Sequence, residues 1–377
     1  MSSIQADPPE RRTPRTLSVE EALEFAAVQV RRLVERAPGE LPTYTSEGRW
    51  VTDPDPWAPN WAGGFLTGMM WVFARRTGDA WWRERAEAYS LALEPRADDT
   101  STHDLGFVLE PSWGRWYELE PTERARDVLI RGGRTMARRL QPNGGYLSTW
   151  VHPGSTFIDV MMNVGIIFRA AALDDDPALR DVALRHCWTS RRHLMRGDGS
   201  TAHEGWFDPS SGEFLRSATH QGWRSDSTWA RGQAWAIYGF GTAYRHSGEP
   251  QLLDAARRAA DFYVEHTPAH GIPPNDWHDP DSELPREASA AAIAAAGMLH
   301  LAELVPAGEA EGYRRYALTT LESLRSTEYV AADSPGYEGV LRHATYHFRD
   351  GLGIDESVMW GDYYFVEALD VAAGLKR

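Results

Sequence analysis

A single cysteine, Cys187, stands in this chain of 377 residues. One thiol can form neither an internal disulfide nor a thiolate metal cluster, so the small disulfide-stapled and zinc-stapled folds are excluded. Lysine is equally scarce. Apart from Lys376 every strongly basic residue is an arginine, which leaves no lysine for a Schiff base or a phosphate loop. No apolar run is long enough to span a bilayer. Met1 to Arg15 is polar and proline-rich, without the apolar stretch of a signal peptide, so a cytoplasmic location without a membrane anchor is expected. Positive charge is also in deficit. The formal net charge of -15 repels nucleic acid and long polyanions, although a few clustered arginines could still hold a small anion.

Tryptophan is abundant, with 16 residues beside 14 tyrosines, and hydrophobic residues make up 42 % of the chain. That suffices for a large core, and aromatic faces of this kind also line carbohydrate clefts by stacking on sugar rings.

Periodicity reads as helix after helix. A capping box at Ser18 and Glu21 opens an amphipathic helix to about Ala37. Further segments run over Trp61 to Thr77, Ala80 to Leu93, Phe107 to Tyr117, Thr122 to Leu140, Asp159 to Leu173 and Pro177 to Leu194. The last five cover Ser227 to His246, Pro250 to His266, Ala288 to Val305, Gly308 to Tyr329 and Trp360 to Leu375. Helices apolar all round alternate with charged amphipathic ones, as two concentric rings require. An internal echo supports the repeat: Phe73 to Asp79 resembles Ala243 to Glu249, each ending an inner helix at glycine before an acidic helix start. The expected fold is all-α, an (α/α)6 barrel over residues 18–377 preceded by a polar extension, 1–17; an irregular α-solenoid is the alternative. Function should lie on the long connections Pro42 to Asn60, Gln141 to Ile158, Gly197 to Asp226 and Asp333 to Glu356.

The window Ser225 to Gly239 is expected to place Ser227, Arg231 and Trp235 on one helix face, an arginine fork beside indoles that suits a ring bearing a planar anion. Asp159 opens an apolar helix among Phe157, Ile158, Met161 and Met162. It is either a helix cap or a desolvated carboxyl with the raised pKa of a general acid. Asn163, one turn on, would reach that carboxyl or its ligand. Asp104 stands at a second helix mouth, and two such carboxylates are a minimum set for glycoside chemistry. His203 and the His220-Gln221 pair lie on the longest connection, where a lone histidine is more often a structural hydrogen bonder than a catalyst. His343 and His347 have the spacing of helical metal ligands, but the segment reads as loop and no metal or cofactor is expected.

Six segments in order resemble glycoside hydrolase family 88, the unsaturated glucuronyl hydrolases, from about residue 20 to the end. They are Trp61 to Met69, His103 to Phe107, Asp159 to Asn163, Thr219 to Gly222, Trp229 to Trp235 and Trp360 to Phe365. The resemblance implies an (α/α)6 barrel that acts on oligosaccharides left by polysaccharide lyases, with a 4,5-unsaturated uronic acid at the non-reducing end. It places Asp159 on the general acid/base and Asp104 on the second essential carboxylate. It places Trp61, His103, Trp150, His203, Gln221, Arg231 and Trp235 on positions lining the sugar pocket. The implied partner is a small anionic unsaturated oligosaccharide, a disaccharide of glycosaminoglycan type first among them. Asp159 would protonate C4, water would add at C5, and the resulting hemiketal would open and release the aglycone. Arg231 would orient the substrate carboxylate or else pair with an aspartate. Alternatives are an unsaturated rhamnogalacturonyl hydrolase, an α/α-barrel epimerase or glucanase, and a sugar-binding barrel without turnover.

Overall fold

The computed structural model describes residues 14–52, 61–280 and 286–375. Part of the expected extension (1–13), part of the 42–60 connection and Lys376 lie outside the described residues.

Among the described residues, twelve helices alternate in chain order between an outer and an inner ring. The outer ones are α1 (Val19–Arg36), α3 (Ala80–Leu93), α5 (Glu123–Ala137), α7 (Pro177–His193), α9 (Pro250–His266) and α11 (Ala307–Leu324). The inner ones are α2 (Gly63–Thr77), α4 (105–119), α6 (160–173), α8 (Ala230–Ser247), α10 (Ala288–Leu301) and α12 (Met359–Gly374). Each inner helix packs on its inner neighbours and α12 packs back on α2, which closes the ring. The architecture is the (α/α)6 barrel expected from the alternation of apolar and amphipathic segments.

Local signals explain most helix ends. Ser18 and Glu21 form the reciprocal capping box, with Glu21 N to Ser18 Oγ at 3.2 Å and Ser18 N to Glu21 Oε2 at 2.7 Å. The echo between α2 and α8 is a shared stop: Gly78 and Gly248 follow them in the left-handed region, φ 68° and 73°. Two inner helices are less regular than the periodicity predicts. α4 contains a π-helical turn at Glu110–Gly114, and α6 is split at Val164 into Val160–Asn163 and Gly165–Leu173. Ser227 does not belong to α8. The helix begins at Ala230 behind Trp229, and the Ser227 hydroxyl donates to Asp276 Oδ2 at 2.6 Å, so the expected one-face triplet reduces to Arg231 and Trp235.

The connections are more ordered than loops read from composition. Short antiparallel ribbons fill them: β1 (Thr45–Ser46) with β2 (Arg49–Trp50), and β3 (Leu140–Gln141) with β4 (Tyr146–Leu147). A three-stranded sheet joins β5 (Ser155–Phe157), β6 (Glu204–Phe207) and β7 (Phe214–Ala218), while β8 (Ala344–His347) pairs with β9 (Leu352–Glu356). All of these ribbons lie where an outer helix hands over to an inner one. They therefore gather at the end of the barrel where the inner helices begin. Arg15–Leu17 is also tied down, with Leu17 N donating to Arg325 O and Thr327 N to Arg15 O.

Because inner helices run parallel, their N-terminal ends share one mouth. The positive ends of their dipoles point there, which favours a negative charge at the mouth. Close backbone approach keeps the inner ring tight. A Cβ on Gly64 would sit 2.2 Å from the carbonyl oxygen of Phe107 and 2.4 Å from that of Val108. Gly64→Ala should therefore destabilise the protein by about 3 kcal/mol, overlap with rigid backbone outweighing the helix propensity gained. Urea unfolding checks this; a variant as stable as wild type would mean that α2 and α4 can move apart freely.

Candidate active site

A cleft opens at that mouth, enclosing about 630 Å³ together with the solvent space at its opening. Of the ten residues expected from sequence as catalytic or substrate-binding, nine line it: Trp61, His103, Asp104, Trp150, Asp159, His203, Gln221, Arg231 and Trp235. Asn163 does not. It is fully buried, donating to Asp159 O at 3.2 Å and accepting from Phe107 N at 2.8 Å. Its face points into the α4–α6 interface, so it positions the two helix starts that carry the carboxylates rather than binding ligand.

Asp159 immediately precedes α6 yet makes no capping hydrogen bond with its side chain. Its Oδ2 is buried without a hydrogen-bond partner among the described residues. Burial is the main cause that raises its pKa to about 7; the nearby Arg231 charge opposes the rise and Asp104 adds to it. The cap reading of Asp159 therefore gives way to that of a desolvated acid. Asp104, 6 % exposed, is anchored instead: Thr102 Oγ1 donates to its Oδ2 at 2.8 Å.

The histidines are set by their backbone contacts. His203 Nδ1 accepts from the N–H groups of His220 (3.2 Å) and Gln221 (3.4 Å), which leaves the ring proton on Nε2. That nitrogen lies 3.8 Å from Asp159 Oδ2. His103 repeats the pattern, with Nδ1 accepting from Trp150 N at 3.3 Å and Nε2 placed 3.5 Å from Asp104 Oδ1. Burial lowers the pKa of both rings, well below the ordinary value for His203, so both are neutral donors aimed at carboxylates.

Arg231 lies between indoles, its guanidinium carbon 4.3 Å from the Trp229 ring centre and 5.0 Å from that of Trp360. Its hydrogen-bond acceptors are carbonyl oxygens: Thr345 O, Tyr346 O and Gln221 Oε1. Because Gln221 Oε1 is taken, its amide N–H groups are left for the cleft. Trp61, 4.8 Å from Trp360 between ring centres, and Trp235 make aromatic walls, while Trp150 stands 39 % exposed at the rim.

Sequence reasoning missed Tyr346 and His347 as cleft residues and left His220 without a role, though all three line it. The segment expected to be loop carries strand β8 from Ala344, with His343 just before it, so the two histidines diverge. His343 pairs with Asp355 at 2.6 Å, whereas His347 enters the cleft. Thr345 and Tyr346 supply the backbone that orients Arg231. Glu287, the N-cap of α10, in turn holds Thr345 N at 3.1 Å.

Carboxylic acid, neutral imidazole donors, an indole-clasped arginine and aromatic walls define a sugar-processing enzyme of glycosidase type. The sequence pattern of Glycosyl Hydrolase Family 88 matches residues 35–364, and the chain belongs to that family. It is 34 % identical to an unsaturated glucuronyl hydrolase of Formosa agariphila, over 82 % of this chain and 79 % of that one. The crystal structure of unsaturated glucuronyl hydrolase from Bacillus sp. GL1, described as responsible for the degradation of glycosaminoglycan, is similar at TM-score 0.88. It is 32 % identical, covering 93 % of this chain and 96 % of that one. A mutant unsaturated glucuronyl hydrolase of Streptococcus agalactiae, solved with dGlcA-GalNAc6S, matches at TM-score 0.80 and 28 % identity, over 95 % and 93 %.

Proposed function

We propose that this protein removes the 4,5-unsaturated uronic acid from the non-reducing end of lyase-generated glycosaminoglycan oligosaccharides. The observation that carries the reading is Asp159, a buried carboxyl with an unpartnered Oδ2 and a pKa of about 7 beside a second carboxylate. Such a group is still protonated near neutrality and can give that proton away. The unsaturated uronate is a vinyl ether conjugated to its carboxylate, and C4 is its nucleophilic carbon. Asp159 transfers its proton to C4, and positive charge develops at C5 and the ring oxygen. Water adds to C5 and its proton passes to the Asp159 carboxylate, restoring the acid. The hemiketal at C5 then opens to a ketone, and the hemiacetal left at C1 expels the aglycone as its alcohol. No second acid has to protonate the glycosidic oxygen, so the other groups can hold the ring. His203 Nε2 donates toward the Asp159 carboxylate as it forms, Asp104 keeps Asp159 protonated beforehand, and the indoles stack on the sugar.

The test is loss of the ultraviolet absorbance of unsaturated disaccharides prepared with lyases from chondroitin, hyaluronan and heparin. Absorbance should fall for at least one of them, with release of the amino sugar. A flat trace on all three, with the protein folded, would overturn the glycosaminoglycan reading; a fall on a pectin-derived unsaturated disaccharide alone would replace it.

A further inference from the structure

We propose that Glu287, which lies outside the cleft, is the counter-charge that keeps Arg231 from drawing the proton off Asp159, and that it acts through the backbone of Thr345. The proposal rests on the uronyl hydrolase reading above, in which Asp159 must meet the substrate as an acid. Glu287 touches no substrate and is a positioning residue.

A buried arginine beside the reacting acid works against it. Burial raises the pKa of Asp159 to about 7, and the charge of Arg231 is the first influence that opposes the rise; Asp104 adds to it, and His220 opposes it. His203 completes the surroundings, with Nε2 3.8 Å from Asp159 Oδ2. Arg231 is itself only 2 % exposed, and a guanidinium so deep needs a negative charge within reach. Were Asp159 to supply that charge, the acid would be lost.

The charge comes from elsewhere. The acceptors of Arg231 are uncharged oxygens, Thr345 O at 2.6 Å, Tyr346 O at 2.8 Å and Gln221 Oε1. Glu287 Oε1 meets the other polar group of the same residue, accepting from Thr345 N at 3.1 Å. Thr345 thus links a carboxylate to a guanidinium, its N–H toward one and its C=O toward the other. That Glu287 is ionised follows from its donors. Oε2 accepts from Ala290 N at 2.7 Å, and Ser289 Oγ donates to the two oxygens at 2.7 and 2.9 Å. The Ser289 hydroxyl must point its proton there, because Trp360 Nε1, 3.0 Å away, can only donate to it.

Trp360 is also one of the two indoles against Arg231, so Glu287 fixes both an acceptor of the guanidinium and one of its faces. Among the charges that oppose the effect of burial on Arg231, Glu287 comes first and Asp159 second. Tyr263 of α9 also faces Glu287, but burial keeps it neutral and its hydroxyl donates to Gly271 O at 3.2 Å. The backbone holds Glu287 in turn: Glu287 N donates to Pro273 O and Ala288 N to His343 O, which joins the start of α10 to β8. With the Glu287 charge gone, Arg231 has Asp159 as its first remaining counter-charge, and the acid ionises more easily.

The experiment separates charge from shape with two pairs, wild type against Glu287→Gln and Glu287→Asp against Glu287→Asn. Asp and Asn are both good helix caps, so the second pair serves if Glu287→Gln does not fold. kcat/KM for an unsaturated disaccharide is followed across pH by absorbance. The Asp159 carboxyl is followed separately by 13C NMR of aspartate-labelled protein, its signal assigned by loss in Asp159→Asn. Each amide should move the alkaline limb and the NMR midpoint to lower pH by about half a unit relative to its acid. kcat/KM should stay within about threefold on the acid plateau and fall about threefold further at pH 8. A merely structural role lowers the rate equally at every pH. Midpoints that stay in place, move to higher pH, or shift alike in Glu287→Asp and Glu287→Asn overturn the proposal. If wild type hydrates no disaccharide while the amides still move the NMR midpoint, the uronyl hydrolase reading falls and the counter-charge stands.

Discussion

Asp159→Asn should lower kcat for an unsaturated disaccharide by about a thousandfold, within the range for a lost general acid. Asparagine keeps the shape and a hydrogen-bond donor, but it has no transferable proton. Binding should survive, because the aromatic walls, Gln221 and the histidines are untouched; equilibrium titration of the disaccharide should give a Kd within about threefold of wild type. The same substitution should raise stability on the alkaline side. In the folded protein the Asp159 pKa is raised from the usual carboxylate range to about 7. A raised acid favours folding fully below the unfolded pKa, and that advantage is lost as pH rises through the folded value. Above pH 7 the native state must carry a buried, unpaired carboxylate that the unfolded chain carries in water, a cost on the order of 4 kcal/mol. Asparagine does not carry that cost, so Tm at pH 8 should rise in the variant and change little at pH 4. Activity near wild type, or a Tm lowered at pH 8, would remove Asp159 from the role of acid.

The barrel was legible because its helices obey simple local rules. Ala80–Leu93 and Pro250–His266 begin and end where the periodicity places them, since a capping aspartate or an N1 proline marks the start. α4 was read too short because the π-turn at Glu110–Gly114 breaks the 3.6-residue period, with Pro111 inside it. The carboxylates could be picked out because each sits at the start of an apolar helix, where a charge has no reason to be unless it is a cap or an acid. Asn163 was misassigned on helical spacing alone, which says which residues share a face but not whether that face meets the cleft or another helix. Tyr346 and His347 were out of reach for a different reason. They arrive from β8, far along the chain, and a four-residue ribbon over a barrel mouth has no period long enough to read.

The rate should also fall steeply with rising pH. Asp159 must be protonated to attack C4, and its pKa in the free protein is about 7. kcat/KM should therefore be level well below that value and approach a tenfold drop per pH unit above it, about fiftyfold between pH 7 and 9. The substrate carboxylate stays ionised throughout, so it adds no limb of its own. Asp362 complicates the measurement, because burial raises its pKa to about 7 as well, even though Val340 N and Leu341 N donate to it. It lies under the segment that leads into β8, and its ionisation weakens the fold over the same interval. Initial rates must therefore be taken where circular dichroism shows the protein folded. Asp104→Asn separates the two titrations. Removing that negative charge makes Asp159 easier to ionise, so the alkaline limb should move toward acid by about one unit, while Asp362, for which Asp104 is not among the causes, keeps its own titration. A limb that stays in place, or moves to higher pH, would mean that Asp104 does not keep Asp159 protonated and serves the sugar hydroxyls alone.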